Sequence, residues 1–312
     1  MKKILISGLN PAWQKTLFFS ALKWGEVNRA VHAERTASGK GINVARAAKL
    51  WGKTEGIVLQ FAGGVTGKLL TDVLDQEKIN HLTTVCEART RVCTTVISET
   101  PHSVTELIEP SEKIPQWVAD KLFEAGTDAL KTADALAVCG TYPPGVSPDF
   151  YAKLIREAGR QQKFVLLDSF MNVEDSLHAG VSLLKVNLEE ICKLTEKPEI
   201  ISAIQTCIDR YALKMIAVTA GPDHAYFFNG RELYQLEPPK ISRVENTIGA
   251  GDTCSAVLLS EIVCGNDPME AFLLGLSAAS ASCMTDSCAF YDRSTALKLR
   301  GEASMPERIK TF

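Results

Sequence analysis

The chain has 312 residues, 46% of them hydrophobic and 23% charged, enough apolar material for one large α/β core. A formal net charge of −3 leaves no broad electrostatic footprint for nucleic acid or an anionic membrane, so any phosphate partner must be held by local clusters. Nine cysteines without a C-x-x-C pair and five histidines without metal-ligand spacing argue against a disulfide scaffold or a zinc site. They point to reduced thiols in the cytoplasm.

Ile4-Leu5-Ile6 is too short an apolar run for a signal-peptide core and reads as a first buried strand, ended by Asn10-Pro11. No run approaches the ~18 apolar residues of a membrane span. Leu17-Phe18-Phe19 and Val27-Asn28-Arg29-Ala30-Val31 are strand-like runs separated by Trp24-Gly25, a hairpin lying off the main body. Ser38-Gly39-Lys40-Gly41-Ile42-Asn43 opens a helix with Val44, Ala48 and Trp51 on one face. A strand follows at 56–61 and a helix at 66–76. Gly63 to Leu69 imitates a P-loop, but Ala62 stands where its first glycine belongs and Leu69 where Ser or Thr is required. No Gly-x-Gly-x-x-Gly follows a strand, which argues against a dinucleotide-binding half. A second hairpin is expected from 92–97 and 104–108.

From Ile114 onward helices and apolar strands alternate. The pattern predicts helix 115–131, strand 134–139, helix 148–159, strand 164–168, a short helix and strand 182–186. Helices at 188–194 and 199–211 and strand 214–219 continue it. Such alternation means a doubly wound, mainly parallel sheet flanked by helices. Tyr226 to Leu236 reads as an antiparallel hairpin turned at Asn229-Gly230. A final helix pair brackets Asp267-Pro268-Met269-Glu270, a helix-start sequence.

The chemistry concentrates in Asn246-Thr247-Ile248-Gly249-Ala250-Gly251-Asp252-Thr253, just before the apolar run from Cys254 to Leu259. Glycines ahead of a helix let the backbone turn tightly and aim free N–H groups at one spot, an anion site. An acid at its rim repels a bound phosphate. It is useful if it accepts a proton from a hydroxyl that attacks that phosphate. Asn187 and Glu190, one turn apart at a helix start, can face one hydrated cation.

The 246–253 string resembles the C-terminal signature of the ribokinase-like, or phosphofructokinase-B, carbohydrate kinases. Leu9-Asn10-Pro11-Ala12, Gly25 to Arg29, Ser38 to Arg46, Lys185 to Glu190 and Val218 to Asp223 resemble further family segments in the expected order. They lie nearest the 1-phosphofructokinase and tagatose-6-phosphate kinase branch. The resemblance implies one kinase domain over 1–312, with a discontinuous β-lid from 13–36 and 88–110. It implies Asp252 as general base and Gly249, Ala250 and Gly251 as the anion hole. Gln14, Arg29, Gly39, Lys40, Asn43, Arg91 and Thr141 would meet the sugar. Lys185, Asn187, Thr219, Gly221, Asp223, Thr247, Gly249, Gly251 and Ser280 would meet ATP. Asn187 and Glu190 would hold Mg2+ through water.

Two positions depart from the branch pattern. Gln14 stands in place of a usual aspartate, and Ser38 in place of a usual glycine. The expected reaction is phosphorylation of a phosphosugar, fructose 1-phosphate to fructose 1,6-bisphosphate first among candidates. Tagatose 6-phosphate, another phosphohexose, a free sugar or a nucleoside are alternative acceptors. A homodimer through the lid is one assembly this allows, and a non-catalytic sugar- or nucleotide-binding regulator is a rival of a different class.

Overall fold

The computed structural model describes residues 1–312. In chain order the elements are β1 (Lys2–Ser7), β2 (Ala12–Phe19), β3 (His32–Ser38), α1 (Lys40–Trp51), β4 (Thr54–Gly63), α2 (Gly64–Gln76), β5 (Asn80–Cys86), β6 (Arg91–Ser98) and β7 (Ser103–Ile108). The middle of the chain forms α3 (Gln116–Leu130), β8 (Ala135–Cys139), α4 (Asp149–Arg160), β9 (Phe164–Asp168), α5 (Glu174–His178), β10 (Leu183–Asn187), α6 (Leu188–Thr195), α7 (Ile200–Tyr211) and β11 (Ile216–Thr219). It ends in β12 (Ala225–Phe228), β13 (Glu232–Leu236), α8 (Ala250–Val263), α9 (Pro268–Ser282), α10 (Arg293–Glu302) and β14 (Glu307–Thr311).

Ten strands make one sheet in the order β14-β13-β12-β11-β10-β9-β8-β1-β4-β5. From β11 to β5 every pairing is parallel. The three strands at the other end are antiparallel. Helices bury both faces, which is why the central strands read as unbroken apolar runs. Successive residues feed opposite cores. Ile4 and Ile6 pack with Trp51, Phe227 and Phe272, whereas Leu5 packs with Leu59, Leu136 and Tyr151. The two C-terminal helices α8 and α9 are apolar nearly all round, and both are buried. The expected start of α9 forms as read: Asp267 caps the amides of Met269 and Glu270, and Pro268 is the first helical residue. No helix is long and apolar enough to cross a membrane.

The two expected hairpins come together as a separate four-stranded sheet in the order β3-β2-β6-β7. Its outer pairs are antiparallel and its central pair, β2 with β6, is parallel. One strand was misplaced. Val27 to Val31 is not the return strand, which begins at His32 opposite Phe18. Trp24, Val27 and Val31 lie exposed in the loop, because β-propensity without a partner strand makes no ladder. The sequence reading also passed over β5, β14 and α10. Both strands are sheet edges with many polar residues, so neither carries the apolar run of a central strand.

A close backbone contact ties α1 to the end of β1. A Cβ on Gly41 would lie 2.7 Å from the Gly8 Cα, and one on Gly8 would lie 2.6 Å from the Gly41 Cα. In an unconstrained helix, alanine stabilises relative to glycine. Here Gly41→Ala should instead destabilise by roughly 1–3 kcal/mol through overpacking, as should Gly8→Ala. Urea unfolding measures this, and a gain in stability for either would count against the contact.

Candidate active site

The strands that carry chemistry all end at one edge. Strand order reverses at β1: the chain runs from β1 to β4 and β5 on one side, then returns to β8, β9 and β10 on the other. The crevice outside the carboxyl ends at such a switch is where open α/β sheets hold ligands. Asp168 ends β9, Asn187 ends β10 two residues after Lys185, and Thr219 ends β11. Thr141 follows β8 closely. The N-termini of α1 and α8 meet this edge, since Lys40 reaches Asp168 and Gly251 faces Lys185.

The turn into α8 needs both glycines, for different reasons. Gly249 has φ 81°, and a Cβ there would meet the Cys288 Sγ at 2.7 Å and the Ala289 amide nitrogen at 2.9 Å. Gly251 makes room for an ammonium: its Cβ would lie 3.0 Å from the Lys185 Nζ. The Ala250 amide donates to the Thr247 carbonyl at 3.3 Å, and the Thr253 amide to the Gly249 carbonyl at 2.8 Å. The Gly251 and Asp252 amides donate to no carbonyl of the chain. Ala250, expected in the anion hole with its neighbours, is thus the one of these three amides with a bond inside the chain, and a long one. Asn246 holds the turn from below, accepting from the Ile248 amide and donating to the Asp286 carbonyl, both at 2.9 Å.

Beside this turn lies a cluster that sequence reading saw only in part. Asp168 is fully buried and accepts from the Lys40 Nζ at 2.7 Å and the Ser255 Oγ at 2.5 Å, with the Lys185 Nζ at 3.6 Å. Burial alone would raise the Asp168 pKa. The Lys185 and Lys40 charges and the hydrogen bonds from Lys40 and Ser255 outweigh it and hold the carboxyl below its ordinary value. Burial likewise opposes the charge on both lysines, and Asp168 restores it, leaving each raised. Asp252 goes the other way. Burial and the neighbouring Asp168 charge raise its pKa, against Lys40, the Asn43 hydrogen bond and Lys185. Two buried carboxylates are thus driven apart in proton affinity, the arrangement that separates a fixed anion from a base. The Asn43 Nδ2 donates to the Asp252 Oδ2 at 2.7 Å.

Asn187 and Glu190 form a reciprocal capping box at the start of α6. The Asn187 Oδ1 accepts from the Glu190 amide at 2.8 Å, and the Glu190 Oε2 accepts from the Asn187 amide at 2.9 Å. The Glu190 Oε1 also lies 3.5 Å from the Lys40 Nζ. Gly221 takes φ 61° in the exposed turn with Asp223, between β11 and β12. Thr247 is exposed, and Ser280 is half-buried near the end of α9.

On the small-sheet side, Gly39 has φ 118°, and a Cβ there would lie 2.9 Å from the Pro11 Cα. The Asn10 Nδ2 donates to the Thr141 Oγ1 at 3.2 Å, while its Oδ1 accepts from the Ser111 Oγ at 2.7 Å. The Arg91 Nη2 donates to the Asn10 carbonyl at 3.1 Å, and the Arg91 Nε is buried without a partner. Gln14 is buried, and its amide donates to the Thr95 Oγ1 at 2.7 Å inside the small sheet. Arg29, expected on a strand, sits exposed in the β2–β3 loop. Asp168 is the main residue sequence reading missed. Its one signal was its place at the end of an apolar strand, where ligand contacts gather.

Residues 10–294 match the profile described as pfkB family carbohydrate kinase. The fold is similar to phosphofructokinase-2 from Escherichia coli, with a TM-score of 0.87 at 23% identity over 97% of this chain and 99% of that one. The same enzyme solved with fructose-6-phosphate gives 0.85. A possible 1-phosphofructokinase from Thermotoga maritima gives 0.84 at 19% identity, covering 99% of this chain and 100% of that one. Ribokinase from Arabidopsis thaliana, complexed with ribose and ATP, gives 0.77 at 19% identity over 96% and 99%.

The raised pKa of Asp252 has a consequence for stability. The native state binds this proton more tightly than the unfolded chain. The stabilisation is therefore fully present below the ordinary carboxylate value and is lost as pH rises through the native value. At neutral pH the ionised Asp252 costs stability. Asp252→Asn should raise the melting temperature at about pH 7, and the gain should close as pH falls toward ~4. A variant that melts lower than the native chain at neutral pH would contradict the assignment.

Proposed function

The chain belongs to the pfkB family of carbohydrate kinases, and from that premise we propose that it transfers the γ-phosphoryl group of ATP to a hydroxyl of a phosphosugar. Fructose 1-phosphate, giving fructose 1,6-bisphosphate, is the first candidate acceptor. The observation that carries the reading is Asp252: a buried carboxylate with raised proton affinity, oriented by Asn43, beside two unused amides and a pair of charged lysines.

In the transfer, the sugar hydroxyl oxygen forms a bond to the γ-phosphorus and its proton passes to Asp252. The bond to the β–γ bridging oxygen breaks and ADP leaves. The Gly251 and Asp252 amides, at the positive end of α8, face the charge on the moving phosphoryl group, with Lys185 beside them. Thr219, Gly221, Asp223, Thr247 and Ser280 line the nucleotide side. Asn187 and Glu190 fit a hydrated Mg2+: both offer hard oxygens, and the capping box fixes them one turn apart. When bound, such an ion would supply positive charge against the nucleotide phosphates.

Arg91 supports a charged acceptor. Its Nε lies buried without a partner beside Asn10, and a guanidinium edge suits a phosphate monoester. The exposed Arg29 can join it only through the mobility of its own long side chain or loop. Gln14 favours a second reading, a kinase for a free sugar or nucleoside, because a neutral amide replaces the charged grip of the branch. The small sheet, from 13–36 and 88–110, would serve as the lid of one kinase domain. The exposed Trp24, Val27, Leu107 and Ile108 support pairing of two copies there. Nine free cysteines support residence in a reducing cytoplasm.

Asp252→Asn should lower turnover on the order of 10²–10⁴-fold while leaving ATP affinity nearly unchanged. Retained turnover would remove the base assignment.

An ATP-consumption screen over phosphorylated and free sugars tests the acceptor class. Arg91→Ala should weaken use of the preferred phosphosugar by more than about tenfold, with a smaller effect from Arg29→Ala and little change in ATP binding. Preference for a free sugar, with both variants unaffected, would favour the second reading.

A further inference from the structure

Asn43 reaches Asp252 from α1, and the orientation of its amide is set from outside that helix. Ser38 is the last residue of β3, is 5% exposed, and pairs across the small sheet with Ala12 of β2. Its Oγ donates to the Asn43 Oδ1 at 3.3 Å, while the Asn43 Nδ2 donates to the Asp252 Oδ2 at 2.7 Å. A carboxylate only accepts, so Asn43 must turn its amino group toward Asp252 and its carbonyl away. Ser38 supplies the donor which that carbonyl meets. Gly39 follows at φ 118°, pressed against Pro11, so Ser38 is held at the junction of small sheet and helix.

We propose that Ser38 is a positioning residue, fixing the Asn43 amide and through it the Asp252 carboxylate in register with the small sheet. The branch that the sequence resembles usually has glycine here and so lacks this hydroxyl. The inference rests on Asp252 being the base. The other groups facing Asp252 are Lys40 from α1, Cys139 from β8, Asp168 from β9, Lys185 from β10 and Cys288 from the segment after α9. Of these, Cys288 alone also hydrogen-bonds the Ser38 hydroxyl and loses that partner in Ser38→Ala; the others keep theirs.

The test is a double-mutant cycle on the full chain, using ATP and the sugar that the substrate screen returns. Ser38→Ala should lower kcat roughly three- to tenfold, leave the KM for ATP unchanged, and move the acid limb of the kcat profile to higher pH. The limb moves up because the charged form of Asp252 loses a well-aligned donor. Ser38→Gly should behave alike. In an Asn43→Ala background, Ser38→Ala should have no further effect on kcat. Melting temperatures within a few degrees of the native chain show that loss of fold is not the cause. An equal loss in both backgrounds, or an unchanged kcat and pH profile, overturns the proposal. An inactive Asp252→Asn with an additive cycle defeats this inference alone, whereas an active Asp252→Asn defeats the base and this inference together.

Discussion

Asp168 held between two lysines is the interaction on which the site depends. A fully buried lysine tends to lose its proton, and a buried carboxylate tends to gain one. Placed within 2.7 Å of Lys40 and 3.6 Å of Lys185, Asp168 keeps all three charged. Such a cluster is not an efficient source of stability, because desolvation offsets most of the attraction. Its effect is local. It maintains positive charge beside the α8 amides, and its own negative charge helps push Asp252 toward the proton.

The backbone is arranged to permit that cluster. Lys185 can approach the turn because position 251 has no side chain, and Lys40 is carried in by a helix seated directly on Gly8. The Ser255 hydroxyl, one turn beyond Gly251, closes on Asp168 from the same helix that bears Asp252. Asp168 and Asp252 are therefore both tied to the first turns of α8. The small sheet joins the site at the Ser38–Gly39 junction and at Arg91, which grips the Asn10 carbonyl.

Sequence alone determined much of this molecule. The doubly wound sheet was legible from 114 onward because both faces of its strands are buried, which leaves unbroken apolar runs. The 249–252 turn was legible because a glycine pair before a helix has a local backbone meaning, and the start of α9 because capping acts within four residues. The edges β5 and β14 were not legible, since one exposed flank removes the apolar signal. Only the tertiary structure decided the rest. Asp168 meets Lys40 across 128 positions, and Asn43 meets Asp252 across 209. Pairings of that range follow from strand order, which no local pattern encodes. Arg29 lost its expected strand to the register of β3. That outcome turns on which backbone N–H finds a partner, and it is settled only when the chain has folded.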